Sequence, residues 1–155
     1  QELLIRYQNE LLVCADEDDI FRRFFRVFVQ RSGSVHGVAM LCDAEAELQV
    51  VGRFGVPVPD GLGFAGRLGE AVVDDVIANP VVRTAEAADY ADVFDDSIRK
   101  YLVGMNLMVV PLMIAEGQMI GLVVLYRKGE QPFVEDDVDL ARLIAPPTAA
   151  AARKT

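Results

Sequence analysis

The stretch LMVVPLMIAEGQMIGLVVLY, residues 107–126, decides how this chain is read. Two apolar runs rich in Val, Leu, Ile and Met flank a short polar tip, Ala115-Glu116-Gly117-Gln118. Apolar runs of that length around a Gly-containing turn predict a β-hairpin near the middle of a sheet. Pro111-Leu112 closes the first strand and Ile120-Gly121 opens the second.

Working back from the hairpin, residues 84–102 place Tyr90, Phe94 and Ile98 at spacing four and predict a helix. GLGFAGRLGE, residues 61–70, reads as a glycine-punctuated short helix, and residues 71–76 as a brief extended piece leading into Asn79-Pro80. Residues 35–42 and 48–54 predict the first two strands, joined by a turn at Asp43-Ala44-Glu45-Ala46. Residues 1–13 carry Leu3, Leu4, Tyr7, Leu11 and Leu12 at helical spacing. Asp16 then sits where an N-cap belongs, with Asp19 three positions on. The helix it starts, residues 17–31, sets Ile20, Phe21, Phe24, Phe25 and Phe28 on one face and ends at Gly33.

Beyond the hairpin, a last helix starts near Glu135 and carries Val138, Leu140, Leu143 and Ile144. Pro146-Pro147 removes two backbone donors, so the helix is expected to end or bend sharply there. Strands grouped on either side of a helical excursion predict an α+β fold. It has a central antiparallel sheet of about five to six strands, terminal helices on one face and a helical or loop insert over the other.

At 155 residues and 52% hydrophobic content, the chain has enough apolar surface for one domain with its own core. The net charge of −9, with no basic stripe, argues against nucleic acid and against an acidic membrane surface as partners. Asn106 and Pro111 interrupt the longest apolar run short of the roughly 18 residues a membrane span needs. Cys14 and Cys42 are too few for a disulfide framework, which points to a reducing, cytoplasmic setting. The Gln at position 1, with no basic-then-apolar leader, reads as a segment of a longer protein.

Three local signatures occur in a telling order. VHGVAMLCD (35–43) is followed by ELQVVGRFG (47–55); then comes GLGFAGRLGEAVVDDVIANP (61–80), and finally VVPLMIAEGQMIGLVVLYRKGEQPFVEDDVDLARLIA (109–145). Together they resemble the GAF domain, a small sensory module, over residues 18–144. The resemblance implies a small-molecule pocket between sheet and insert, coupled to an output domain through the terminal helices. It divides the chain into an N-terminal helix and linker (1–16), a GAF-like sensory domain (17–145) and a C-terminal linker to an output domain (146–155). The Asn-Lys-Phe-Asp-Glu pattern of cyclic-nucleotide-binding relatives is missing, and no cysteine follows Cys42 for attaching a bilin.

Candidate pocket residues are Phe54, Phe64, Tyr90, Phe94, Ile98, Met108 and Val110, which serve equally well as core, since pockets and cores are both apolar. The polar candidates are Arg53, at a strand end where it could hold an anion or reach solvent, and Asn106, an amide opening a very apolar strand. Asp75, Asn79, Arg83 and Thr84 complete the polar set, with Asp75 expected to tie down the Asn79-Pro80 loop through backbone N–H groups. His36 and Cys42 share a strand face but stand roughly 20 Å apart, too far to share a metal. The acidic clusters at 16–19, 92–96 and 135–139 read as helix starts and as an Asp95/Arg99 helical pair. Asp43 beside Cys42 would raise a thiol pKa, opposing a thiol enzyme of the free methionine sulfoxide reductase type.

The sequence is therefore read as a non-enzymatic sensory module of a cytoplasmic signalling protein. It binds a small effector and biases an output domain of the kinase, cyclic-dinucleotide or transcriptional class. Homodimerisation through the terminal helices follows from the Leu3, Leu4, Leu11 and Leu12 stripe. A ligand-free dimerisation or docking module is the alternative, and no residue pattern names a cofactor.

Overall fold

A computed structural model describes residues 2–56, 63–115 and 117–154. The chain runs α1 (Glu2–Leu12), α2 (Glu17–Ser32), β1 (His36–Cys42), β2 (Leu48–Phe54), α3 (Phe64–Ala78) and β3 (Arg83–Glu86). A 3-10 turn, Ala87–Tyr90, leads to α4 (Asp96–Leu102), β4 (Met105–Met113), β5 (Met119–Lys128) and α5 (Glu135–Arg153). The five strands pair in the order β2-β1-β5-β4-β3, all antiparallel. This is the expected α+β sheet, with the β4–β5 hairpin flanked on both sides; Glu116 at its tip lies outside the described residues.

The hairpin is central because its side chains are apolar at both parities, and period-two alternation sends them to two different layers. Val123 and Leu125 join the α1, α2 and α5 layer with Phe21, Phe24, Phe25 and Phe28, all at most 1% exposed. Leu122, Val124 and Tyr126 join the opposite layer, built by α3, the 3-10 turn and α4. The Asp16 cap forms as read: its carboxylate accepts the Asp19 N–H at 2.9 Å.

Three local expectations are corrected. The extended piece at 71–76 is helical, because α3 runs on from Phe64 to Ala78 with Leu68, Val72 and Val76 buried at helical spacing. The single helix at 84–102 is instead a strand, a 3-10 turn and a short helix: residues 83–86 pair with β4, and Asp95 restarts the helix by accepting the Ser97 N–H at 2.8 Å. Arg99 pairs with Asp96 at 2.6 Å, while Asp95 reaches Arg67 at 3.8 Å.

The third correction concerns the proline pair. Helix α5 continues through Pro146 and Pro147 to Arg153. Thr148, Ala149 and Ala152 beyond the prolines are buried, so packing against the domain overrides the lost donors. The leucine stripe on α1 is also divided: Leu11 is buried, whereas Leu12 and the nearby Ile5 and Val13 are 81%, 58% and 72% exposed.

Candidate functional site

Strand parity decides which candidates can meet. Leu107 and Val109 face the insert, while Met108, Val110 and Leu112 face the terminal helices. Met108 and Val110 therefore sit across the sheet from Tyr90, Phe94 and Ile98, and their odd-numbered neighbours take the positions beneath the insert. Phe54 also belongs to the terminal-helix side. It lies opposite Gly37 in register and stacks on Phe25 with ring centres 5.4 Å apart. Gly37 makes that stack possible, since a Cβ there would come within 2.2 Å of the Phe25 ring.

On the insert side the structure brings together Phe64, Tyr90, Phe94 and Ile98, exposed by 2%, 8%, 3% and 0%. Tyr90 and Phe94 are ring neighbours at 6.1 Å. Tyr126, missed in the sequence reading, completes the set. Its ring meets Phe64 edge-on at 6.0 Å, and His36 stacks on it at 5.0 Å. His36 in turn donates from Nδ1 to the Gly55 carbonyl at 2.6 Å. Phe64 also meets Tyr101 at 6.0 Å, so four aromatic rings enclose one end of the insert layer.

The Tyr126 hydroxyl is the chemical anomaly of this layer. The residue is 1% exposed, and among the described residues its oxygen finds no hydrogen-bond partner. Burial pushes its phenol pKa up. A buried hydroxyl without a partner costs about 1–3 kcal/mol, so such groups are rare unless something satisfies them. Arg83 Nε is the second such atom. The other end of that guanidinium donates to the carbonyls of Asp75 and Asn79, at 2.5 and 3.0 Å. Asp75 thus holds the loop through its backbone carbonyl, whereas its carboxylate faces Tyr90. Burial first, and that carboxylate second, raise the Tyr90 phenol pKa.

The remaining polar candidates spread out. Arg53 is exposed and lies opposite Val38, on the insert side of β2. Asn106 donates its amide to the Lys128 carbonyl at 3.2 Å, tying the open end of the hairpin, and shares the parity of Met108. Thr84 is exposed on β3, opposite Met108. The layer between α3 and the sheet is closely filled: a Cβ on Gly69 would lie 1.8 Å from Met40 Sδ. A groove of about 240 Å³ runs outside it, over Ala87, Ala91, Phe94, Arg99, Leu102 and Gly104.

Cys14 and Cys42 are both free, and burial pushes both thiols up, Cys42 further through Asp43. That is opposite to the shift an attacking thiolate needs. Among the described residues no group of three or more His, Cys, Asp and Glu is placed to hold a metal ion.

The terminal-helix side carries a second set of residues that the sequence reading missed. Arg127 is 6% exposed, and each of its five N–H groups has a partner. Nε donates to the Gln131 carbonyl, one Nη to the Ser32 carbonyl and hydroxyl, and the other to the Pro132 carbonyl and to Asp137 at 3.1 Å. Asp137 also accepts the Val134 N–H at 2.8 Å, capping α5. Phe133 covers the guanidinium at 4.2 Å. One side chain thus joins the end of α2, the end of β5 and the start of α5. An Arg closing an apolar strand, with an Asp ten residues on in a helix start, was the available signal.

The profile of the GAF domain matches residues 14–152. The chain belongs to the GAF family. GAF domains are sensory modules of signalling proteins. No curated protein sequence matches this one. Among solved structures, this GAF domain superposes on that of a GAF domain/HD domain protein from Geobacter sulfurreducens with a TM-score of 0.74 at 16% identity, over 90% of this chain and 93% of that one. The GAF domain of an Acinetobacter phosphoenolpyruvate-protein phosphotransferase gives 0.72 at 16% identity, over 99% and 92%. The phycocyanobilin-bound GAF domain of a cyanobacterial phytochrome gives 0.64 at 20% identity, over 98% and 93%. At these identities the likeness is one of fold. No described helix is long and apolar enough to cross a membrane.

Proposed function

We propose that this GAF domain binds a small effector on the insert side of its sheet and passes a conformational bias to an output domain through α1, α2 and α5. The observation that carries the proposal is the Tyr126 hydroxyl, buried beside Phe64 and His36 with no partner among the described residues. An effector with an acceptor group there would satisfy it, and Tyr90, Phe94 and Ile98 would supply apolar cover. Arg53 on the same side of β2 would meet a negative charge. The phytochrome relative carries phycocyanobilin; here no cysteine follows Cys42 to attach a bilin. Binding shifts the domain only if the two arrangements of insert and helices bind the effector unequally.

The domain acts as a regulator rather than an enzyme, in a reducing cytoplasmic compartment, and pairs with a second copy through the terminal helices. The free thiols support the compartment, and the exposed Ile5, Leu12 and Val13 support the pairing. The close filling around Gly69 and Met40 favours a second reading, in which the insert side is core and the domain serves only in docking or dimerisation.

Native mass spectrometry of the purified domain beside its Tyr126→Phe variant separates the readings. The proposal expects an added non-covalent mass on the wild type, absent after denaturation and much reduced in the variant. An added mass retained equally by both would remove Tyr126 from the site, and bare masses even after incubation with metabolite pools would favour docking.

A further inference from the structure

Helix α5 has an unusual second half. Pro146 and Pro147 carry no N–H, so the helical bonds to the carbonyls of Arg142 and Leu143 are not made. The next residue adds a bond of its own: Thr148, fully buried, donates its hydroxyl to the Ile144 carbonyl at 2.6 Å. That hydroxyl has only one proton, so the Tyr7 O–H must be the donor in its 2.7 Å bond to Thr148 Oγ1. Tyr7 is 1% exposed on α1, and burial pushes its phenol pKa up, which keeps the proton in place.

The two halves of α5 are therefore held very differently. The first half is anchored by Val138, Leu140, Ala141 and Ile144 and by the Arg127–Asp137 pair. Past the prolines only small side chains are buried, Thr148, Ala149 and Ala152. Beside them a cleft of about 370 Å³ opens between α1, the start of α2 and this segment, lined by Leu11, Ile20, Pro147 and Ala151 among others. A segment packed only through small side chains, two missing helical bonds and one buried interhelical hydrogen bond meet at a single point.

We infer that Tyr7 and Thr148 form a latch that holds residues 148–153 against α1, and that the proline pair is the joint about which this segment is released. Its place in signalling rests on the reading above, that the terminal helices carry the bias outward. Opening the latch changes the direction of the chain leaving α5 without unfolding the first half of the helix, because the Arg127–Asp137 pair and Ile144 lie before the joint.

Hydrogen exchange on Tyr7→Phe tests the latch, since this variant keeps the ring and leaves Thr148 bonded to Ile144. No effector enters the experiment, so its result is distinct from success or failure of effector binding. The latch predicts that amides 149–153 exchange at least tenfold faster, while amides 138–145 and those of β4 and β5 keep their rates. In a P146A/P147A background, where the missing helical bonds are restored, the same substitution should change amides 149–153 less than threefold. A uniform rise along α5, no rise, or an equal rise in both backgrounds would overturn the proposal.

Discussion

On the terminal-helix side of the sheet, Arg127 places all five of its N–H groups on partners and Tyr7 donates to Thr148. On the insert side, the Tyr126 hydroxyl and Arg83 Nε meet no partner among the described residues. Tyr126 and Arg127 are adjacent in sequence and exposed by 1% and 6%, so the difference comes from parity on one strand and not from depth. Buried polar groups are normally satisfied. A side that satisfies all of its buried groups is built to hold elements together. On the insert side, hydrogen-bonding capacity is left over among the described residues.

The comparison breaks most severely at Arg127. Arg127→Met leaves Asp137 buried without its countercharge and should cost about 3–5 kcal/mol, read by urea denaturation as a lower midpoint at an unchanged slope. A loss well under about 1 kcal/mol would mean that the joint of α2, β5 and α5 does not depend on this side chain.

Alkali tests both sides at once. The buried phenols of Tyr7 and Tyr126 keep their protons while those of the unfolded chain ionise above pH ~10, so the unfolded state binds fewer protons and stability falls as pH rises. Each phenol should contribute about 1.4 kcal/mol per pH unit in that range. Denaturation midpoints measured between pH 9 and 11.5 should fall less steeply in Tyr126→Phe than in wild type, and an unchanged slope would show that the phenol is not buried in solution.

Smaller effects sharpen the contrast. Tyr7→Phe removes one satisfied bond and should cost about 1 kcal/mol by thermal or urea denaturation. Tyr126→Phe removes a hydroxyl that bonds to nothing described, and in the effector-free domain it should be neutral or stabilising by up to about 1 kcal/mol. Opposite signs for these two Tyr→Phe changes are the simplest statement of the difference between the sides.

Much of the fold was legible because the hairpin at 107–126 is apolar at both parities, which allows only a central strand pair. Period four in 84–102 misled, since Tyr90, Phe94 and Ile98 do share one layer but reach it from a 3-10 turn, a loop and a short helix. The proline pair misled for the reverse reason: local propensity forbids what tertiary packing of Thr148, Ala149 and Ala152 enforces. Of the candidates, Tyr90, Phe94 and Ile98 were picked out by spacing four and Phe64 as an apolar residue of the glycine-punctuated helix; all four lie in the insert layer. Met108 and Val110 were assigned without following parity across β4, which gives the insert Leu107 and Val109. Tyr126 ended the most informative stretch of the sequence, yet a buried hydroxyl with no partner among the described residues cannot be read from residue order.

The central claim is that the insert side takes a ligand through Tyr126. The most direct test is the thermal midpoint of the wild type and of Tyr126→Phe, each with and without the protein-free small-molecule fraction of a cell extract. The account predicts that the fraction raises the wild-type midpoint by several degrees and leaves the variant's almost unchanged. Equal shifts in both proteins, or none in either, would contradict it.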